Sequence, residues 1–345
     1  MARFSERTKD SIKVLNDNWR NPNTGLWDNK WWPSANCLTA LGDQQEISPD
    51  NKPQTKKLFE ETFEKAKMNK VAGGRKGNWL NEYYDDQGWW ALAWIKGYDV
   101  FRDKKYLKAA AEIFDDMMKN PGTPCGGMRW SKLPELRIAF IANSLHMNVA
   151  ASLANRMPAK KNLYAKEAQK QLDWFEKLGA FNSSGNRTML DSLNPKTCKP
   201  GGFVWTYNVG SMTGALVEMY RMDRNRVHLR DAITMSRGIV THTTKDGILT
   251  EHGHPRKNSM WPDKVQGNFA MFKGPFVRSV GYLQRTAPRK EFDDFLRKNA
   301  DYMWEHDRQP DGKLGANWQG PVWHVSVGAQ CAGIDLLNAA ARSAK

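Results

Sequence analysis

The sequence predicts an all-α fold, a closed (α/α)6 barrel built from a single domain over residues 1–345. Three observations lead there. Six nearly uncharged apolar stretches each open on a small or amide residue, and six charged amphipathic stretches alternate with them. The linkers are rich in Gly, Pro, Asn and Trp, and no sustained alternation of β-branched residues marks a strand. A helix that is apolar all round is buried, whereas one with a single apolar stripe faces water. Six of each in alternation therefore make an inner ring of helices inside an outer ring.

In chain order the amphipathic stretches are 6–19, 54–69, 104–119, 160–178, 226–242 and 289–306. In the third, Tyr106, Ala109, Ala110, Ile113, Phe114 and Met117 recur at helical spacing, while Lys104, Lys105, Lys108, Glu112 and Asp116 fill the opposite side. The apolar runs begin at Ala35-Asn36, Gln87-Gly88, Ala142-Asn143, Val209-Gly210, Lys273-Gly274 and Val327-Gly328. Their spacing of roughly fifty to sixty-five residues is that of a repeat. Linkers 20–34, 120–136, 180–206, 243–270 and 308–321 precede inner runs and are expected to gather at one end, where loops on a rigid scaffold build a site.

Composition narrows the function. Hydrophobic residues make up 40% of the chain, as in a globular protein, and the 15 Trp exceed what such a core needs. Several stand beside Gly, Asn or Asp, where an open indole face suits the C–H patches of a sugar ring; the rest fill gaps between helices. The net charge is 52 minus 37, or +15, yet the basic residues are dispersed as pairs such as Lys56-Lys57, Lys104-Lys105, Lys160-Lys161 and Arg289-Lys290. With no zinc-finger spacing or RNA-binding signature, nucleic acid is not the expected partner. A solvated basic surface with long-range attraction to an anionic glycan or cell-wall polymer is. No apolar run is long enough to span a bilayer, and the first residues, Met-Ala-Arg-Phe-Ser-Glu-Arg, hold no signal core. The expected location is extracellular if a leader is missing from this chain and cytoplasmic otherwise. Cys37, Cys125, Cys198 and Cys331 allow three pairings, with Cys331 reading as a buried thiol in an apolar helix. Asn182-Ser-Ser and Asn186-Arg-Thr are glycosylation sequons, meaningful in a secreted protein.

The chemistry centres on Asp85 and Asp86, side by side where the second apolar run begins: Asn81-Glu-Tyr-Tyr-Asp-Asp-Gln-Gly-Trp-Trp90. Adjacent carboxylates repel, so their pKa values separate and the two suit different roles. A competing reading makes one of them the N-cap of the helix. Asp191, Trp205, Tyr207 and Asn208 between the fourth outer helix and its inner partner mix an acid, an amide and aromatic faces, as a sugar subsite does. Gly126-Gly-Met-Arg-Trp130 and Trp31-Trp32-Pro-Ser-Ala-Asn36 have the same character. Glu251-His252-Gly-His254 lacks the second ligand cluster a metal site needs. Nucleophile-elbow, phosphate-loop and Rossmann motifs are absent from the sequence.

Tyr84-Asp-Asp-Gln-Gly-Trp-Trp-Ala-Leu-Ala-Trp94, the Gly-Gly…Trp-Ser segment at 126–131, Trp205-Thr-Tyr-Asn208-x-Gly210 and Phe272-Lys-Gly-Pro-Phe-Val-Arg278 resemble, in order and over nearly the whole chain, glycoside hydrolase family 76. The family comprises α-1,6-mannanases and related fungal mannan transglycosylases. The resemblance implies an (α/α)6 barrel, a retaining mechanism, Asp85 as nucleophile and Asp86 as general acid/base. It implies sugar contacts from Asp191, Tyr207 and Asn208, with Asn143, Lys273 and Arg278 in support; Trp32, Asn36, Tyr84, Gln87 and Trp130 complete the expected substrate-binding set. Retention needs carboxyl groups about 5–5.5 Å apart, against about 6.5–9.5 Å for inversion, and neighbours with Cα atoms about 3.8 Å apart can reach the shorter separation. Val209 and Ala139 depart from the family's Gln and Asn and are expected to alter a subsite. His252 stands near a common Cys of fungal members, removing a disulfide partner.

The expectation is a monomeric endo-α-1,6-mannosidase acting on an α-mannan polysaccharide, with no metal or cofactor. The alternatives are a mannan transglycosylase, a glycan-binding barrel with weak or no turnover, and an epimerase or unsaturated glucuronyl hydrolase on the same scaffold, a class that does not usually set two acids in such a Trp-rich frame.

Overall fold

The computed structural model describes residues 2–67, 77–251 and 267–343, which hold twelve α-helices. Six form the outer layer: α1 (Ala2–Trp19), α3 (Lys52–Ala66), α5 (Lys104–Met117), α7 (Lys161–Lys177), α9 (Arg226–His242) and α11 (Lys290–His306). Six form the inner layer: α2 (Trp31–Ile47), α4 (Tyr84–Phe101), α6 (Phe140–Arg156), α8 (Thr206–Asp223), α10 (Lys273–Thr286) and α12 (Val327–Ser343). Each inner helix packs on the next, and α12 returns to α2, so the ring closes as the alternation of patterns predicts.

Burial follows pattern. Every residue of α6 from Phe140 to Ala154 is buried, whereas α11 buries Phe292, Phe295, Leu296, Asn299, Ala300 and Met303, a single stripe at helical spacing. Outer-helix bounds fall within a few residues of expectation; α1 starts earlier because Phe4 extends its buried stripe by one turn. Trp27, Trp79, Trp90, Trp94 and Trp318 are almost fully buried, so these five fill the gaps between helices. Trp94 stacks on Tyr106 with ring centroids 5.5 Å apart, tying α4 to its outer partner α5.

Glycines let the inner helices approach closely, Gly88 and Gly210 among them. A Cβ on Gly88 in α4 would lie 2.6 Å from Leu145 Cβ in α6, and one on Gly210 in α8 would lie 2.5 Å from Phe276 Cα in α10. Neither distance is sterically possible without moving a helix.

Connections from inner to outer helices are short, as in 102–103 and 224–225, while those from outer to inner are long. All six inner helices therefore point the same way, with N-termini at the long-loop end. There, Ile138–Ala139 pairs with Ser192–Leu193, which pairs with Pro200–Gly201. Cys125 and Cys198 form a disulfide, with Cα atoms 5.3 Å apart, joining the same two loops. This selects one pairing of the three the sequence allowed; Cys37 and Cys331 are buried thiols.

Candidate active site

Asp85 and Asp86 lie in the first turn of α4, whose N-cap is Tyr83. Neither is the N-cap residue, although the helix-start N–H groups of Asp85 and Asp86 favour the charged form of the Asp85 carboxyl, which keeps part of the capping role. The loop before them is fixed by Asn81, whose Oδ1 accepts from Tyr83 N at 3.0 Å, and by pairing with a distant loop. Tyr84 N donates to Trp130 O at 3.1 Å and Lys132 N to Glu82 O at 2.8 Å. Trp130 is thereby brought over the helix start, where its Nε1 donates to Asp85 Oδ2 at 3.0 Å. Asp86 Oδ2 accepts from Asn81 Nδ2 at 2.6 Å.

The two carboxyls are only partly accessible to solvent, and burial drives both pKa values up. Asp85 is pushed up to about 6, held back by the Trp130 indole, the backbone N–H groups of Asp85 and Asp86, and the positive Arg137. Asp86 is raised well above the usual carboxylate range, first by burial and then by the charge of Asp85, which the Asn81 amide does not offset. Asp85 is thus the member that ionises first, and Asp86 the one that keeps its proton.

Around the acids stands an aromatic and polar wall. Tyr207 stacks on Phe272, with centroids 3.8 Å apart and planes 5° off parallel, and Phe272 lies 6.3 Å from Trp32, itself 6.3 Å from Trp89. The Tyr207 phenol is raised well above its ordinary pKa by burial and by the carboxylates of Asp191 and Asp85, so it stays protonated. Asp191 accepts from Asn208 Nδ2 at 3.0 Å and from Arg137 at 3.4 Å. The Arg137 guanidinium lies 4.5 Å from the Trp130 ring centroid. Acids, phenol and indole faces together can bind a sugar ring and move protons at a glycosidic oxygen.

The structure gathers Asp85, Asp86, Trp32, Trp130, Asp191 and Tyr207 here, with Asn208 buried behind Asp191. The other expected contacts are scaffold. Asn143 Oδ1 accepts from Met128 N and Gln171, and its Nδ2 donates to Ala139 O and Met128 O, so its amide is fully engaged. Gln87 is buried and donates to Asp116 at 2.9 Å and to Asn81 O. Tyr84 is buried, with the Lys132 ammonium 5.3 Å from its ring centroid. Lys273 donates to Ala316 O at 2.9 Å over the Trp318 ring, and its pKa falls to about 8 through burial, offset by Asp307 and Glu251. Arg278 bonds Asp335 through Nε and Nη2 and Asn36 through Nη1, and both Arg278 and Asn36 are buried. Val209 and Ala139 are also buried, so their side chains pack in the core and shape no subsite directly.

Sequence reasoning missed Asn81 and Arg137, which touch or face the acids, and Phe272, on which Tyr207 stacks. Asn81 opens the very string that drew attention to Asp85 and Asp86, but an Asn before a helix is commonplace. His252 and His254 lie outside the described residues. Among the described residues no group of three or more His, Cys, Asp or Glu is placed to hold a metal ion, and no helix is long and apolar enough to cross a membrane.

The fold has counterparts among solved structures. The α-1,6-mannanase GH76A of Salegentibacter sp. HEL1_6, in a variant inactivated by changing two consecutive aspartates to asparagine and in complex with α-1,6-mannotriose, superposes with a TM-score of 0.82 at 20% identity, over 98% of this chain and 99% of that one. The Lin0763 protein from Listeria innocua gives 0.82 at 19% identity, over 98% and 97%. Dfg5 from Chaetomium thermophilum in complex with glucosamine gives 0.82 at 17% identity, over 100% and 91%. Comparison with curated protein sequences finds no significant match. The family model described as Glycosyl hydrolase family 76 matches residues 3–344, and the chain accordingly belongs to glycosyl hydrolase family 76.

Proposed function

We propose that this glycoside hydrolase is a retaining endo-α-1,6-mannosidase that cleaves α-1,6-mannan backbones. The observation that carries the reading is the unequal setting of two adjacent carboxyls: Asp85 held by an indole N–H and helix N–H groups, Asp86 buried beside it with one amide donor. Asp85 attacks the anomeric carbon as Asp86 gives its proton to the departing oxygen, breaking the glycosidic bond and leaving a mannosyl ester on Asp85. Asp86, now a carboxylate, takes a proton from water, which attacks the same carbon and expels Asp85; two inversions give net retention. The internal mode of cleavage and the α-1,6 linkage follow the mannanase neighbours. The disulfide between Cys125 and Cys198 supports action in an oxidising, extracellular setting.

The test is hydrolysis of an α-1,6-mannan by the parent, Asp85→Asn and Asp86→Asn proteins, with the first-formed anomer read by NMR and product lengths by chromatography. The expected result is α-configured oligosaccharides from the parent and almost none from either variant. A β first product, or a folded variant as fast as the parent, overturns the reading. Adding acceptor mannosides separates water from sugar as the acceptor.

A further inference from the structure

The end of the barrel opposite Asp85 and Asp86 holds a cavity of about 720 Å³, within the usual size range of small-molecule sites. It runs along the barrel interior from Trp89, Ser211 and Pro275, in the N-terminal halves of the inner helices, to Arg102, Arg285 and Arg342 at their C-terminal ends, and neither catalytic acid lines it. Trp89 is the partition: its indole faces Trp32 on the catalytic side and also lines the cavity. Lys96 stands ten residues beyond Asp86 on α4, about 15 Å further along the axis.

The cavity has two chemically distinct parts. Its throat sets Thr39, Asn148, Ser211 and Ser279 among apolar Trp89 and Leu92. Asn148 and Ser279 are each only 7% exposed, yet Asn148 Nδ2 and Ser279 Oγ donate to nothing in the described chain. Both lie beside Gly214, whose missing Cβ would sit 3.0 and 3.1 Å from them. Its mouth is cationic. Lys96, Arg285 and Arg342 converge on the single carboxylate of Glu46 at 2.6, 2.6 and 2.9 Å, and exposed Arg102 lies over the Tyr98 ring with no ion pair among the described residues. Seven Lys and Arg line the cavity against three carboxylates. Adding Asp43 and Asp335, which pair with Lys96, Arg342 and Arg278 from behind, still leaves an excess of two positive charges.

Cations near helix C-termini are expected, since they offset the negative end of the helix dipole. That effect explains neither the open volume nor a buried amide N–H and hydroxyl that donate to nothing among the described residues, the amide oxygen of Asn148 accepting from Ser152. We propose that this end of the barrel is a second binding site, for a sugar-sized ligand carrying an oxyanion, a hexose phosphate or a hexuronate. The sugar hydroxyls would meet Asn148 and Ser279 with the ring against Trp89, and the oxyanion would meet Arg285, Arg342 and Arg102 at the mouth.

The test is isothermal titration of the Asp85→Asn protein, which keeps the measurement independent of turnover, with mannose 6-phosphate, glucuronate and neutral mannose. The expected result is saturable binding of an anionic sugar, weakened about ten-fold or more by Arg285→Ala and by Asn148→Leu. Circular dichroism of each variant confirms its fold. The tighter of the two anionic sugars identifies the oxyanion. No saturable binding, binding of mannose as tight as that of the anionic sugars, or binding unchanged in both variants overturns the proposal.

Discussion

The indole of Trp130 donates to Asp85 at 3.0 Å from a loop 45 positions further along the chain. The loop backbone is itself bonded to the residues just before Asp85, so one piece of chain both positions the proposed nucleophile and tunes its charge. A hydrogen bond to a carboxylate stabilises the ionised form.

Replacing Trp130 by Phe keeps the ring and deletes the donor. The Asp85 carboxyl then rises from about 6, moving the acidic limb of the kcat/KM profile to higher pH and lowering its plateau about ten-fold. A profile of unchanged shape in Trp130→Phe would show that the indole does not act on Asp85.

In the parent, activity should rise as pH passes about 6, where Asp85 ionises, and fall at the higher pH at which Asp86 loses its proton. Asn81→Ala removes the one donor to Asp86 among the described residues that favours its charged form. The alkaline limb of that variant should therefore shift upward, with kcat reduced about ten-fold. A pH series on both proteins checks the direction.

Stability should follow a different curve. Asp85 and Asp335 are raised to about 6, Glu251 and Asp307 to about 7, chiefly by burial. A raised group stabilises fully below its unfolded pKa, about 4, and loses that contribution as pH climbs through its folded value. Glu46 and Glu218 are lowered to about 2, burial being outweighed by Lys96 and Arg342 for the first and Arg156 and Arg221 for the second. They stabilise above about 4.3 and lose that contribution as pH falls toward 2. The thermal midpoint, scanned from pH 2 to 8, is expected to peak near 4 to 5, below the pH of greatest activity; a midpoint rising steadily to pH 8 would contradict the assignment.

The disulfide closes a 73-residue separation, so a Cys125→Ala, Cys198→Ala double variant should lose about 4 kcal/mol on the chain-entropy estimate. Urea unfolding gives the number. Because Trp130 and Asp191 hang on the two joined loops, KM should rise as well.

The barrel was legible because helical period and charge survive in a linear string: the nearly uncharged run that opens at Ala142-Asn143 and the striped stretch 289–306 needed no tertiary information. The acids were legible because they are neighbours. Asn143 and Arg278 misled for a physical reason. A polar side chain in an apolar helix looks functional until its partners are known, and those partners, Gln171 and Asp335 among them, are 28 and 57 positions away. Arg137 stayed hidden because its relation to Asp191 exists only after Ile138–Ala139 and Ser192–Leu193 pair.

Gly88 and Gly210 have a bearing on catalysis that packing alone does not express. They set the circumference of the inner ring, and Gly88 is two residues from Asp86. A methyl group added at Gly210, on the far wall from the acids, would force α8 and α10 apart and widen the whole toroid, carrying Tyr207 away from Asp85. The bore of this barrel is therefore an inherited dimension, written in part in missing side chains, and substrate fit should respond to it even where no sugar is touched.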